Sequence, residues 1–344
     1  MHPITYFYPE DHEAHSSPGH PERPERLEAV KQALVENDLW ALGPKLEPLD
    51  LQEDVYHAIH TSEHLERLKS LSLAGQDYDF ETYLTEQSWS LALNAAGGAA
   101  ALAQAVWCHE AATGFALSRP PGHHATPGQA MGFCLLNNIA LAAENLIQNE
   151  GARRIAIIDI DVHHGNGTQD IFWKRDDVLF ISTHQSPLYP GTGHLNERGA
   201  GDGLGYTCNI PLPPNSGDSA FHAAYDEIIL PLLDDYQPEI LLISFGFDAH
   251  WKDPLAQLQL SADGYAQQIN KLLAWAQANS SGRIALFLEG GYDLEAGSAC
   301  GLAVTQALLG QNWLDLNGPS PSIESDHWNS ILDQAKSIWE LQDD

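Results

Sequence analysis

Short runs of consecutive apolar residues punctuate the chain, at Ile4 to Tyr8, Gly114 to Leu117, Ile155 to Ile158, Val178 to Ser182, Ile240 to Ser244 and Ile284 to Leu288. Runs this short, apolar at successive positions and bounded by turn residues, predict strands buried on both faces of a parallel sheet. Between them the spacing is helical: from Arg26-Leu27 to about Asn37, from Thr61-Ser62-Glu63 through Leu65, Leu68 and Leu71, and from Ser88 to His109. Further helices are predicted from Asn137-Asn138 to about Gln148, Thr168 to Lys174, Ala220 to Leu233 and Gly264 to Ala278. The strand-then-helix rhythm predicts an α/β fold of three layers, α/β/α, with a mostly parallel central sheet. No repeat or linker-like shift divides it, so one domain over residues 1–344 is expected. Gln185 to Gly217 is too long for a simple link and reads as a functional loop. Trp328, Ile331, Leu332, Ala335, Ile338 and Trp339 predict an amphipathic helix over about 326–341, packed on the body or, in a homo-oligomer, on a second subunit.

The run beginning at Ile155 changes character halfway. Ile158, Ile160 and Val162 stay apolar, while Asp159, Asp161 and His163 take the alternate positions. Strand side chains point the same way every second residue, so these three are expected on one face at the strand's carboxyl end. Open α/β sheets bind ligands at that end. Three other predicted strand ends carry His123-His124, Asp248 and Tyr292. Adjacent histidines on a Pro-Gly turn ordinarily face apart, so a shared site demands an irregular backbone. Asp161, His163 and Asp248 would give a divalent ion three protein ligands and an open position, the pattern of a catalytic zinc. Two carboxylates neutralise the ion and acidify its water less than three histidines would, so help from His123 and His124 as bases is expected.

Charge and cysteines narrow the partners. With Asp+Glu 47 against Lys+Arg 16, the formal net charge is −31. That argues against nucleic acid and anionic membranes as partners and fits a cationic substrate, or solubility alone. Cys108, Cys134, Cys208 and Cys300 lie far apart without a CxxC pair, which points to a reducing compartment and to neither a disulfide framework nor a cysteine zinc site. The opening residues lack the regions of a signal peptide and no run reaches membrane-spanning length, so a cytoplasmic protein is expected.

Five segments carry a family likeness. Arg119-Pro120-Pro121-Gly122-His123-His124-Ala125, Gly132-Phe133-Cys134, the stretch Asp159 to Gln169, Phe247-Asp248 and Glu289-Gly290-Gly291-Tyr292 resemble the zinc-dependent histone deacetylase superfamily, within the arginase/deacetylase fold. The class II variant is most similar, including bacterial histone deacetylase-like amidohydrolases and acetylpolyamine amidohydrolases. The likeness spans roughly residues 18 to 310. It implies zinc, or iron(II), on Asp161, His163 and Asp248, with His123 and His124 flanking the attacking water and oriented by Asp159 and Asn166. It makes Tyr292 the donor to the oxyanion, the Gly132 carbonyl an acceptor for the substrate amide, and Phe133 and Tyr189 the walls of a narrow tunnel. Class I enzymes have aspartate where Asn166 stands, so the division of acid and base labour between the histidines stays open. Potassium is also implied, on backbone carbonyls of Asp159, Asp161, His163 and Thr183 and side chains of Asp159 and Ser182. A second potassium would lie near Phe172, Val178 and Tyr206, where Arg175 departs from the usual small residue. Arg26 aligns with an arginine lining the family's internal acetate passage; a surface cation beside Glu22 and Glu25 is the other reading.

The implied activity is hydrolysis of an N-acetylated amine with release of acetate. Leu255, in Asp253-Pro254-Leu255, stands where acetylpolyamine hydrolases of the superfamily often place a glutamate. Acetyl-lysine or another monoacetylated amine is therefore favoured over an acetylpolyamine, with Asp79 and Glu81 as acidic rim positions that pull the other way. Two rivals are an arginase-like ureohydrolase and a catalytically silent acetyl-lysine-binding module. The first needs bridging aspartates where His163 and Phe247 stand; the full ligand set with Tyr292 argues against the second.

Overall fold

The computed structural model describes residues 1–341; residues 342–344, the end of the expected domain, lie outside the described residues. Seven strands form one sheet: β1 (Thr5–Phe7), β2 (Thr113–Ala116), β3 (Ile155–Asp159), β4 (Val178–Gln185), β5 (Thr207–Leu212), β6 (Ile240–Phe245) and β7 (Ile284–Leu288). The order across it is β1-β2-β7-β6-β3-β4-β5, and every pairing is parallel. The helices are α1 (Glu25–Glu36), α2 (Glu53–Ile59), α3 (Ser62–Leu73), α4 (Ser88–Trp107), α5 (Asn138–Asn145), α6 (Asn166–Phe172), α7 (Asp218–Ala224), α8 (Leu230–Tyr236), α9 (Ala262–Asn279), α10 (Leu294–Leu308) and α11 (Asn329–Trp339). A π-helical turn, Tyr225–Ile229, joins α7 to α8, so the stretch predicted as one helix is helical throughout.

The continuous apolar runs exist because each strand feeds two cores. In β3, Ala156 and Ile158 join the cluster built with α1, α7, α9 and α10, while Ile155 and Ile157 join the one built with α2, α4 and α5. Every second residue goes to the same side, as the pleat requires. After β3 the chain steps outward through β4 and β5, then returns to the other side of β3 with β6. The crevice between the carboxyl ends of β3 and β6 is therefore the point where strand order reverses, the place where open α/β sheets hold ligands.

Four elements depart from the expectations. The segment 185–217 contains β5, whose Pro211 is tolerated because β5 is an edge strand and its missing N–H leaves no ladder gap toward a further neighbour. Helices α2 and α10 also lay hidden. The small residues of α10 serve close packing: a Cβ on Gly301 would press into Val30 of α1. Finally, β3 ends at Asp159, earlier than the alternation implied. The Asp159 carboxylate accepts from Asp161 N at 3.1 Å and the Asp161 carboxylate from His163 N at 2.9 Å. These bonds to the backbone two residues on turn the chain out of the sheet. Helix α11 buries Leu332 and Ala335 in the main core, with Trp328 and Trp339 packed against it, as expected for docking on the body.

Candidate active site

Asp161 and His163 lie on the turn after β3 and Asp248 on the turn after β6. One ligand atom from each lies within 4.8 Å of the others. His163 Nδ1 stands 3.1 Å from Asp161 Oδ1 and 3.2 Å from Asp248 Oδ2. The outer oxygens are already committed: Asp161 Oδ2 accepts from Gly290 N at 2.7 Å and Asp248 Oδ1 from Val162 N at 2.9 Å. The backbone of neighbouring strand ends thus aims the remaining donor atoms at one point. Apart from the His163 nitrogen at 3.2 Å, poorly aligned for a hydrogen bond, buried Asp248 Oδ2 has no partner among the described residues, a cost that a cation at that point would remove. Burial pushes the Asp248 carboxyl up, reinforced by Asp161; against the same burial, His123 and His163 keep Asp161 low. Two buried carboxylates and one imidazole nitrogen converging in this way fit a divalent ion of the zinc type.

His123 and His124 meet here despite their adjacency, their ring centroids 4.0 Å apart. Each is oriented through Nδ1. His123 Nδ1 lies 3.0 Å from Asp159 Oδ2, and His124 Nδ1 lies 2.8 Å from Asn166 Oδ1. Acceptors at Nδ1 fix the proton there and turn both Nε2 atoms inward. Burial lowers both imidazoles. For His123 the carboxylates of Asp159 and Asp161 outweigh burial and bring it to about 10, whereas His124, beside the other two histidines, stays well below the ordinary range.

A cavity of about 240 Å³ opens over the centre, lined by Glu81, His124, Gly132, Phe133, His163, Leu188, Tyr189, Leu255 and Tyr292. Gly132, Phe133, Tyr189 and Leu255, expected at the tunnel, and Glu81, expected at its rim, are among them; Asp79 is not. Gly132 has φ +54, and a Cβ there would collide with the His124 ring. Phe133, at φ +68, stands edge-on to Tyr292 with centroids 6.0 Å apart. Burial pushes the Tyr292 phenol well above its ordinary range, so it is a proton donor at neutral pH. Leu255 is 40% exposed and marks the mouth. Larger clefts of about 340 and 480 Å³ lie at the amino ends of β2 and β7 and outside α3 and α4, away from this rim.

Asp159, Ser182 and Thr183, implied for potassium through the side chains of the first two and the backbone carbonyl of the third, come together where β3 pairs with β4; Asp159 and Ser182 are register partners. The Arg175 guanidinium lies 5.1 Å from the Phe172 ring centroid and pairs with Glu144 and Asp177. Arg26 is not the surface cation of the second reading: it is fully buried, as is its partner Glu22. Its guanidinium donates to the carbonyls of Gly291 and Glu289 and to Glu22, and lies 5.0 Å from the Tyr292 ring centroid. Arg119 grips the same Glu22 with two donors at 2.7 and 3.0 Å. Burial alone would raise the Glu22 carboxyl, but the two arginines hold it at about 2.

Two carboxylates were not among the expected site residues. Glu289 accepts from Gly122 N at 2.7 Å and His123 N at 3.1 Å through one oxygen, and from the Ser244 hydroxyl at 3.2 Å through the other. It sits close to His123 and Cys134, yet these three bonds make it a backbone clamp and not a second ligand set. Asp253 accepts from Leu255 N, Tyr292 N and Asp293 N. For Glu289 the available signal was position, an acid directly after the apolar run of β7; Asp253, further along the loop after β6, carried no such signal.

Residues 20–308 match the histone deacetylase domain family. A probable deacetylase of Archaeoglobus fulgidus is 45% identical over 291 residues, 84% of this chain and 81% of that protein. A histone deacetylase-like amidohydrolase of Pseudomonas aeruginosa is 40% identical over 295 residues, 85% of this chain and 77% of that one. The crystal structure of the HDA15 HD domain superposes with a TM-score of 0.89 at 34% identity, covering 98% of this chain and 94% of that one.

Proposed function

The chain belongs to the histone deacetylase family, and on that premise we propose that it hydrolyses the amide of an N-acetylated amine, releasing acetate, with zinc or iron(II) held by Asp161, His163 and Asp248. The observation that carries this reading is the convergence of those three ligand atoms beneath a cavity whose wall includes Tyr292. When bound, the ion supplies Lewis-acid polarisation of a carbonyl and a water more acidic than bulk. The chain supplies the rest. His123 and His124, their Nδ1 protons held by Asp159 and Asn166, present Nε2 atoms that take a proton from the attacking water and return one to the leaving nitrogen. Tyr292 donates to the carbonyl oxygen as it gains charge, a bond that strengthens in the transition state. Phe133 and Tyr189 enclose the alkyl chain and keep water from it. Asp159, Ser182 and Thr183 would hold a potassium ion beside the centre.

Leu255 at the mouth favours acetyl-lysine or another monoacetylated amine. Glu81, on the same wall, is the observation that favours a second reading, a substrate bearing a further ammonium. Acetate release from an acetyl-lysine peptide and from acetylspermidine, with metal analysis on the same preparation, separates the two. Tyr292→Phe is expected to lower kcat by about 10²- to 10³-fold with bound metal retained. Undiminished turnover in that variant would reject the oxyanion role, and no acetate from either substrate would reject the hydrolase.

A further inference from the structure

We propose that Asp253 is a positioning residue for Tyr292: a single buried carboxylate ties the tunnel mouth to the phenol that faces the reacting carbonyl. The inference rests on the hydrolase reading above. Asp253 is 6% exposed, on the turn after β6 and just ahead of Pro254. One of its oxygens accepts from Tyr292 N at 2.7 Å and Asp293 N at 3.3 Å; the other accepts from Leu255 N at 3.0 Å. Tyr292 follows Gly290 and Gly291, the second at φ +110, a pair that by itself leaves the backbone free to swing. Arg26 holds the Gly291 and Glu289 carbonyls, and two carboxylates restrain the N–H groups. Asp161 holds Gly290 N on one side, and Asp253 holds Tyr292 N and Asp293 N on the other. Asp293 then caps α10 through Ala296 N, so the loop ends on a rigid element. Asp253 also reaches the mouth residue Leu255.

The chemistry of the two sides makes the tie breakable by one atom. Both oxygens of Asp253 face N–H donors only. An asparagine there must turn its NH₂ toward either Leu255 N or the Tyr292–Asp293 pair, so one half of the tie is lost at nearly unchanged volume. A displacement of the phenol by about 1 Å costs on the order of 10²-fold in rate.

The test is a double-mutant cycle in the full-length, metal-loaded enzyme, reading kcat and KM for acetate release from an acetyl-lysine peptide or from acetylspermidine, whichever the wild type turns over. Asp253→Asn is expected to lower kcat about 10- to 100-fold, with KM and bound metal near wild type. On a Tyr292→Phe background the same change is expected to cost less than about threefold, because the hydroxyl it positions is gone. Equal losses in both backgrounds, or no loss in either, overturn the proposal while leaving the hydrolase reading intact. A wild type that releases no acetate from either substrate overturns both. If Asp253→Asn does not fold, Asp253→Ser, too short to reach both loops, is read in the same cycle. Failure of both variants to fold overturns the proposal, since the residue is then structural.

Discussion

The imidazole of His124 rests on the amide oxygen of Asn166 at 2.8 Å, where its neighbour His123 has a carboxylate at 3.0 Å. A carboxylate favours the imidazolium and a neutral amide does so far less, so the two rings, both lowered by burial, are tuned apart by their partners. Asn166→Asp gives His124 the same kind of partner. The sign is fixed whichever role His124 plays: the protonated ring persists to higher pH, so the limb of the kcat/KM profile that it governs moves up, by about one to two pH units. A profile that stays still or moves down would remove His124 from the titrating pair. At this scale the sequence was legible where chemistry sits on unusual residue types. Asp161, His163, Asp248 and Tyr292 announce themselves by placement. Gly122, Glu289 and Asp253 do not, because their work is done by backbone N–H groups and carboxylates that read as ordinary loop residues. The left-handed backbone of Gly132 and Phe133, which brings a ring beside Tyr292, leaves no trace in the apolar pattern.

Three strand ends at the rim are each held by an acid from another. Asp248, after β6, holds Val162 after β3; Asp161, after β3, holds Gly290 after β7; Glu289, at the end of β7, holds Gly122 and His123 after β2. This cross-tying is how four separate connections keep one geometry without a covalent link. Glu289 offers a clean measure of one tie. Its oxygen toward Ser244 faces a hydroxyl, which can reverse and accept, so Glu289→Gln keeps all three bonds. Glu289→Ala leaves two buried N–H groups orphaned, a loss of roughly 2–5 kcal/mol against less than about 1 kcal/mol for Gln. Urea unfolding of the three proteins reads the difference; equal midpoints for Ala and wild type would show the tie to be idle. Among elements, the strands buried on both faces were legible because nothing else in a soluble chain is so continuously apolar. β5 was not, since Pro211 and Asn209 break its run, and α10 was not, since its alanines and glycines flatten the helical period.

Over the whole molecule, stability carries a pH dependence that the site does not explain. Burial pushes His15, His164 and His250 down to about 4 and His60 down to about 3. For each, the unfolded chain takes up a proton near pH 6.5 that the folded chain refuses. Their contribution is therefore present above pH 6.5 and is lost as pH falls toward 4. Glu289 and Asp253, both raised to about 7 by burial first and then by neighbouring carboxylates, work in the opposite direction, and relief of the −31 net charge adds to them. The sum is thus a contest, and a single group decides more than the total. His60 is suited to that: its Nδ1 bonds the Thr126 carbonyl at 3.1 Å and its Nε2 accepts from Asn137 N at 3.0 Å, pinning the connection that carries His123 and His124. Protonating Nε2 sets a donor against a donor. In His60→Gln that titration is absent while the background terms remain, so the difference in unfolding free energy from wild type should shrink by about 2 kcal/mol between pH 7 and pH 5. Denaturant curves at the two pH values, with metal content matched, measure it. A difference that does not change with pH would mean that His60 accepts its proton in the folded state as readily as in the unfolded one, and the pin would then survive acid.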